Sequence, residues 1–111
     1  MASTFKRAVA ANVGATPVTV LTAPASKVLT LIDVSCANVE AAAAEVLGTV
    51  HTVAGGVTAR LIKDGPIPAG GAMVVVGAPR KVVMIATDTL VATCDTANGM
   101  DVTVSYLEQD A

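Results

Sequence analysis

Much of this chain alternates between apolar and polar residues with the period of two that marks a half-buried β-strand. Residues Thr16 to Thr22 place Val18 and Val20 on one face and Thr19 and Leu21 on the other. Lys27 to Ala37 is the clearest strand of the first half. Val28, Ile32, Val34 and Cys36 share the face expected to form core, and Leu29, Leu31, Asp33 and Ser35 share the opposite one. Glu45 to Ala54 sets Leu47, Thr49, His51 and Val53 against Val46, Gly48, Val50 and Thr52. Val57 to Lys63, Ala72 to Val76, Arg80 to Ala86 and Leu90 to Cys94 are further short, Val-rich strands. Met100 to Glu108 closes the pattern, with Val102, Val104 and Tyr106 facing inward and Asp101, Thr103 and Ser105 outward.

The segments between these strands carry turn chemistry. Ala23-Pro24-Ala25-Ser26 is one such turn, and Gly55-Gly56 is a hairpin signal, because a two-residue hairpin needs positive φ that glycine accepts without steric cost. Asn98-Gly99 is a second hairpin signal of the same kind. Lys63-Asp64-Gly65-Pro66-Ile67-Pro68-Ala69-Gly70-Gly71 combines prolines and glycines and predicts a long connection between two halves of the domain. Asn38 followed by Ala41 to Ala44 is compatible with a turn of helix, but the alternation after Glu45 favours a loop leading into a strand. Ser3 to Asn12 is weakly patterned, so residues 1–15 read as an N-terminal arm or edge strand and residues 16–111 as the domain proper. About eight or nine strands at this spacing predict an all-β fold: one β-sandwich of jelly-roll or Greek-key type.

Composition narrows the functional field. The 111 residues are 53% hydrophobic and only 14% charged, which fits one domain whose surface is partly buried against other chains. No stretch approaches the roughly 18 uninterrupted apolar residues of a membrane helix. Lys6-Arg7 ahead of Ala-rich sequence resembles a signal peptide, but Asn12, Gly14 and Pro17 interrupt any apolar run, so the segment reads as mature protein. The net charge is −2 and the cations are scattered, which argues against direct nucleic-acid binding, and Phe5 and Tyr106 are too few to make a stacking platform. Cys36 and Cys94 lie in apolar strands and read as buried free thiols rather than a bridge.

No catalytic apparatus is visible. His51 is the sole histidine and has no carboxylate nearby in sequence except Glu45. Cys36, His51 and Cys94 lack the close-spaced ligand pair of a structural zinc site. Asp95 to Asp101 has a faint likeness to a calcium loop but lacks the alternating oxygens and distal Glu that such a loop needs. The glycine pairs are followed by no Lys-Ser/Thr, and no Gly-x-Ser-x-Gly occurs. The expectation is a protein without enzymatic activity, metal or cofactor. The one cluster suited to a partner is Phe5, Lys6 and Arg7, an apolar anchor beside two cations, able to meet an acidic surface.

Four pieces occur here in a distinctive order: Leu21-Thr22-Ala23-Pro24-Ala25-Ser26-Lys27, the strand end Cys36-Ala37-Asn38, Leu61 to Gly71, and Asp101-Val102-Thr103-Val104-Ser105-Tyr106-Leu107-Glu108. Together, over Thr16 to Glu108, they resemble small virion proteins of tailed bacteriophages of the capsid decoration, or cement, type. Cys36, Cys94, the Ala41–Ala44 run and Pro79-Arg80-Lys81 depart from that pattern. The resemblance implies a β-sandwich that stabilises an icosahedral capsid from its outer surface. Its partners would be the major capsid protein and copies of itself, commonly as a homotrimer, after synthesis in the host cytoplasm. It transfers no site residue. A tail or head–tail connector component forming a ring is the alternative. A carbohydrate- or receptor-binding sandwich is a second, disfavoured by the absence of Trp.

Overall fold

The computed structural model describes residues 3–40, 45–77 and 81–110. Among the described residues there are nine strands: β1 (Ser3–Val13), β2 (Val18–Thr22), β3 (Lys27–Asn38), β4 (Glu45–Ala54), β5 (Val57–Pro68), β6 (Ala72–Val76), β7 (Val82–Met84), β8 (Thr89–Cys94) and β9 (Met100–Asp110). They form two antiparallel sheets. Sheet A has the order β1-β9-β3-β6, with β7 also on β3, and sheet B has the order β2-β8-β4-β5. β6 pairs with Val34 to Ala37 and β7 with Leu29 to Leu31, so the two continue each other as one interrupted edge strand. With that pair counted as one, the strand order is that of an eight-strand jelly roll. The expected all-β sandwich is the fold observed, and the choice between helix and loop at Ala41–Ala44 lies outside the described residues.

The core is the layer between the sheets. Sheet A contributes Leu29, Leu31, Val34, Cys36, Met84, Met100, Val102 and Val104, and sheet B contributes Leu21, Val46, Val50, Ile67, Leu90 and Ala92. Asn38 ties the two sheets at one end. Its Nδ2 donates to the Ile67 carbonyl at 3.0 Å, and its Oδ1 accepts from the Glu40 amide at 2.9 Å, so a buried amide is satisfied at both ends.

Three expectations are corrected. On β3 the inward residues are Leu29 and Leu31 and then Val34 and Cys36, not Val28, Ile32, Val34 and Cys36. The cause is a bulge: Leu31 pairs with Tyr106 and Asp33 with Ser105, leaving Ile32 as an extra residue that switches the face. Second, the Lys63–Gly71 segment is mostly strand. β5 continues to Pro68, with Val46 opposite Ile67 and Leu47 opposite Pro66. The prolines are tolerated because β5 is an outer strand and, two residues apart, both direct their missing donors to its free side. A Cβ at Gly65 would lie 2.4 Å from Ile62 Cδ1, so any larger residue there displaces the Ile62 side chain. Only Pro68 to Gly71 forms the turn, closed by the Gly71 amide on the Pro68 carbonyl at 2.8 Å. Third, Asn98-Gly99 does not join a hairpin. β8 and β9 lie in different sheets, and the turn with Asn98 at φ 55° carries the chain across the sandwich. Gly55 and Gly56, both at positive φ, do close the β4–β5 hairpin as expected.

The bulge yields a direct contrast. Leu31→Ala is expected to lower unfolding free energy by ~2–5 kcal/mol, and Ile32→Ala by about 1 kcal/mol or less, in chemical denaturation. Equal losses would contradict the assigned faces.

Candidate functional site

The Phe5, Lys6 and Arg7 cluster lies on β1, the outer strand of sheet A, and strand alternation divides it. Lys6 is paired opposite Tyr106, whose side chain is core, whereas Phe5 and Arg7 are paired opposite Leu107 and Ser105 on the outward face. Lys6 Nζ sits 2.7 Å from Glu108 Oε2, whose side chain is largely buried. That hydrogen bond, and then the charge of Glu108, push the Lys6 pKa up. Lys6 therefore serves to neutralise a carboxylate of its own chain. The Arg7 side chain has neither a hydrogen bond nor an ion pair among the described residues. All three residues border an open groove of about 380 Å³, with Ile32, Ser105 and Tyr106 completing its lining.

The same outward face carries most of the large apolar side chains left in water. Phe5 is 77% exposed and Val9 62% on β1. At the opposite margin Val74 is 63% exposed, and Val83 and Ile85 are 59% each. Val74 is opposite Ser35 and Val83 opposite Thr30, which places them on the outer side of β3. Between the margins run Asp33, Ser35, Thr103 and Ser105. The face thus has two apolar margins three strand spacings, or roughly 14 Å, apart, and the stripe between them is polar from Asp33 to Ser105 and carries Leu107 opposite Phe5. Composition pointed to apolar surface. Its position depends on the register of β6 and β7 on β3, which local alternation does not reveal.

The remaining chemistry-bearing residues do not converge. Cys36 and Cys94 are free and buried, on sheets A and B respectively. Burial, and secondarily the nearby Cys94, push the Cys36 thiol up to about 11. The Cys94 thiol lies 3.2 Å from the Val13 carbonyl and 3.1 Å from that of Thr96. Among the described residues no group of three or more His, Cys, Asp or Glu side chains could hold a metal ion. In the segment with a faint calcium-loop likeness, Asp95 Oδ1 accepts from the Leu47 amide at 3.0 Å and Asp101 Oδ1 from the Asn12 amide at 2.9 Å. Asp95 fastens its turn to β4, and Asp101 ties β9 to β1.

His51 lies on β4 between Arg60 of β5 and Val91 of β8. Its Nδ1 is buried without a hydrogen-bond partner. Desolvation, and then the charge of Arg60, hold its pKa below the ordinary value of 6.5.

No protein-family model and no curated protein matches this chain. Among solved structures it is similar to two crystal structures of pentameric capsid proteins isolated from metagenomic phage sequences, each at 16% identity. The TM-scores are 0.39 and 0.38, and the alignments cover 97% and 96% of this chain. They cover 60% and 61% of those chains, so this chain spans about three-fifths of their length. The jelly-roll assignment rests on the strand order of this chain.

A pH dependence follows from His51. Because its folded-state pKa lies below 6.5, the unfolded chain takes up a proton that the folded chain refuses as pH falls through that interval. The contribution is neutral above the unfolded value and becomes destabilising below it. His51→Gln is expected to show a smaller fall in Tm than the parent between pH 7.5 and 5.5. Identical pH profiles would contradict the lowered pKa.

Proposed function

We propose that this protein is a structural component of a tailed-phage virion that decorates the outer surface of the icosahedral capsid and bridges its subunits. The observation that carries this reading is the outer face of sheet A, where Phe5, Val9, Val74, Val83 and Ile85 stand in water on two margins. Exposed apolar surface of that kind marks a contact surface. Two margins on one face allow one copy to touch two neighbours at once. If the β1 margin of one copy meets the β6–β7 margin of the next, the contact is heterologous, and a rotation of 120° per copy closes it into the homotrimer suited to sites where shell subunits meet. The ordered motifs between Thr16 and Glu108 support the same role. A repetitive shell turns many modest contacts into firm attachment, so the function needs no chemistry beyond surface burial.

Quantitative mass spectrometry of purified virions tests the role. The expected result is a copy number comparable to that of the major shell protein. A handful of copies per particle would point to a ring at one vertex, as in a connector or tail, and absence from the particle would overturn a virion role.

The contact face has its own test. Val74→Asp and Val83→Asp, at exposed positions, are expected to change unfolding free energy by less than about 1 kcal/mol. Both should nonetheless disrupt self-association in light scattering and attachment to capsids. Unaltered assembly and attachment in both variants would place the contact elsewhere.

A further inference from the structure

The outer strands of the two sheets are not alike. β2 has five residues, follows Pro17 and contains a register shift. β5 carries Pro66 and Pro68, two register shifts and Asp64 at φ 52°. β6 and β7, of five and three residues, are one strand broken in two. Short length, proline, bulges and charge are the devices by which an open sheet edge avoids accepting another strand. β1 has neither proline nor bulge over Ser3 to Ala10, where its register on β9 runs without interruption, and of its two charges Lys6 is already paired with Glu108, which leaves Arg7. Its other side pairs with no strand among the described residues.

We propose that the free edge of β1 is a docking site for an extended, carboxylate-bearing segment of a partner protein, which adds to sheet A as a further strand. Charge selects the occupant. Lys6 is neutralised by Glu108 within the chain, whereas Arg7 has no counter-ion among the described residues and stands between Phe5 and Val9 on the outward face. An added strand places every second side chain on that face, so the complementary segment reads apolar–x–acidic–x–apolar, with its carboxylate at Arg7 and its apolar groups at Phe5 and Val9. A second copy of β1 fits poorly. Lys6 and Arg7 lie on opposite faces, so the two longest antiparallel self-pairings of the uninterrupted stretch centre on Lys6 or on Arg7, and each sets that cation directly opposite its own copy, where like charges are destabilising. The inference rests on the virion reading only for the identity of the partner, which would be an exposed segment of the shell protein; the docking edge itself stands on β1.

The test uses the full chain and a capped synthetic peptide, Thr-Val-Thr-Glu-Thr-Val-Thr, with a second peptide bearing Lys in place of Glu. Backbone amide spectra are expected to shift on adding the acidic peptide, with the changes concentrated in β1 and β9. The Lys peptide should bind about five- to tenfold more weakly, and Arg7→Glu should reverse the order. Binding of neither peptide at millimolar concentration overturns the proposal and leaves Arg7 as a charge that keeps the edge unpaired. Equal binding of the two overturns the assigned role of Arg7, and shifts centred away from β1 overturn the site. Attachment of the parent protein to capsids with unaltered β1 amide exchange sinks this inference and spares the virion reading. Peptide docking on β1 without any capsid attachment does the reverse.

Discussion

Everything in this protein depends on one dry layer between two sheets, and that layer is built almost without aromatic rings. Leu29, Leu31, Ile67, Met84, Leu90 and Met100 are its largest fully buried side chains. Small, branched residues fill space only if each strand presents the correct face, because interiors are packed to the density of a crystal and a misfaced residue leaves a void. The chain meets that demand with bulges as well as alternation. Ile32 is squeezed out of β3 so that Leu29 and Leu31 can point inward beside Val34 and Cys36. In β6 the pairing shifts between Val74 and Val76, and both Val75 and Val76 end up buried.

The jelly-roll path makes this layer a long-range construction. With β6 and β7 counted as one strand, β4 and β5 alone among the described residues are joined by a hairpin within one sheet; the connections before and after them carry the chain from sheet to sheet. Polar ties hold these crossings in place. The Ala23 amide donates to the Asp88 carbonyl at 2.8 Å, and the Asp88 carboxylate accepts from the Ile85 amide at 3.0 Å. Asn38 performs the same task at the other end. With the inner faces committed to each other, the outer face of sheet A is where spare apolar surface is left for other chains.

Strand existence was legible in the sequence because alternation is a local property, and β4, β6, β8 and β9 begin and end within two residues of where it places them. Pairing is not local. Nothing in Lys27 to Ala37 announces a bulge, which is created by the register of β9 some seventy residues later. Pro66 and Pro68 exclude an inner strand, as read from the sequence, but they cannot tell an outer strand from a loop. Asn98-Gly99 specifies a turn and is silent on whether the flanking strands belong to one sheet. The candidate site was legible in the same partial way. Phe5, Lys6 and Arg7 are conspicuous as a cluster, but the partner that removes Lys6 from it, Glu108, lies at the far end of the chain. The margin of Val74, Val83 and Ile85 becomes visible only once both short strands are laid on β3.

The central claim is that the outer face of sheet A is a contact surface on a phage shell. Cryo-electron microscopy of capsids purified without this protein, before and after its addition, tests that claim most directly. The account predicts new density on the outer surface, sized for a sandwich of 47 × 27 × 21 Å, with the outer face of sheet A buried against the shell or neighbouring copies. A surface that stays bare, or density in which that face is turned to solvent, would contradict it.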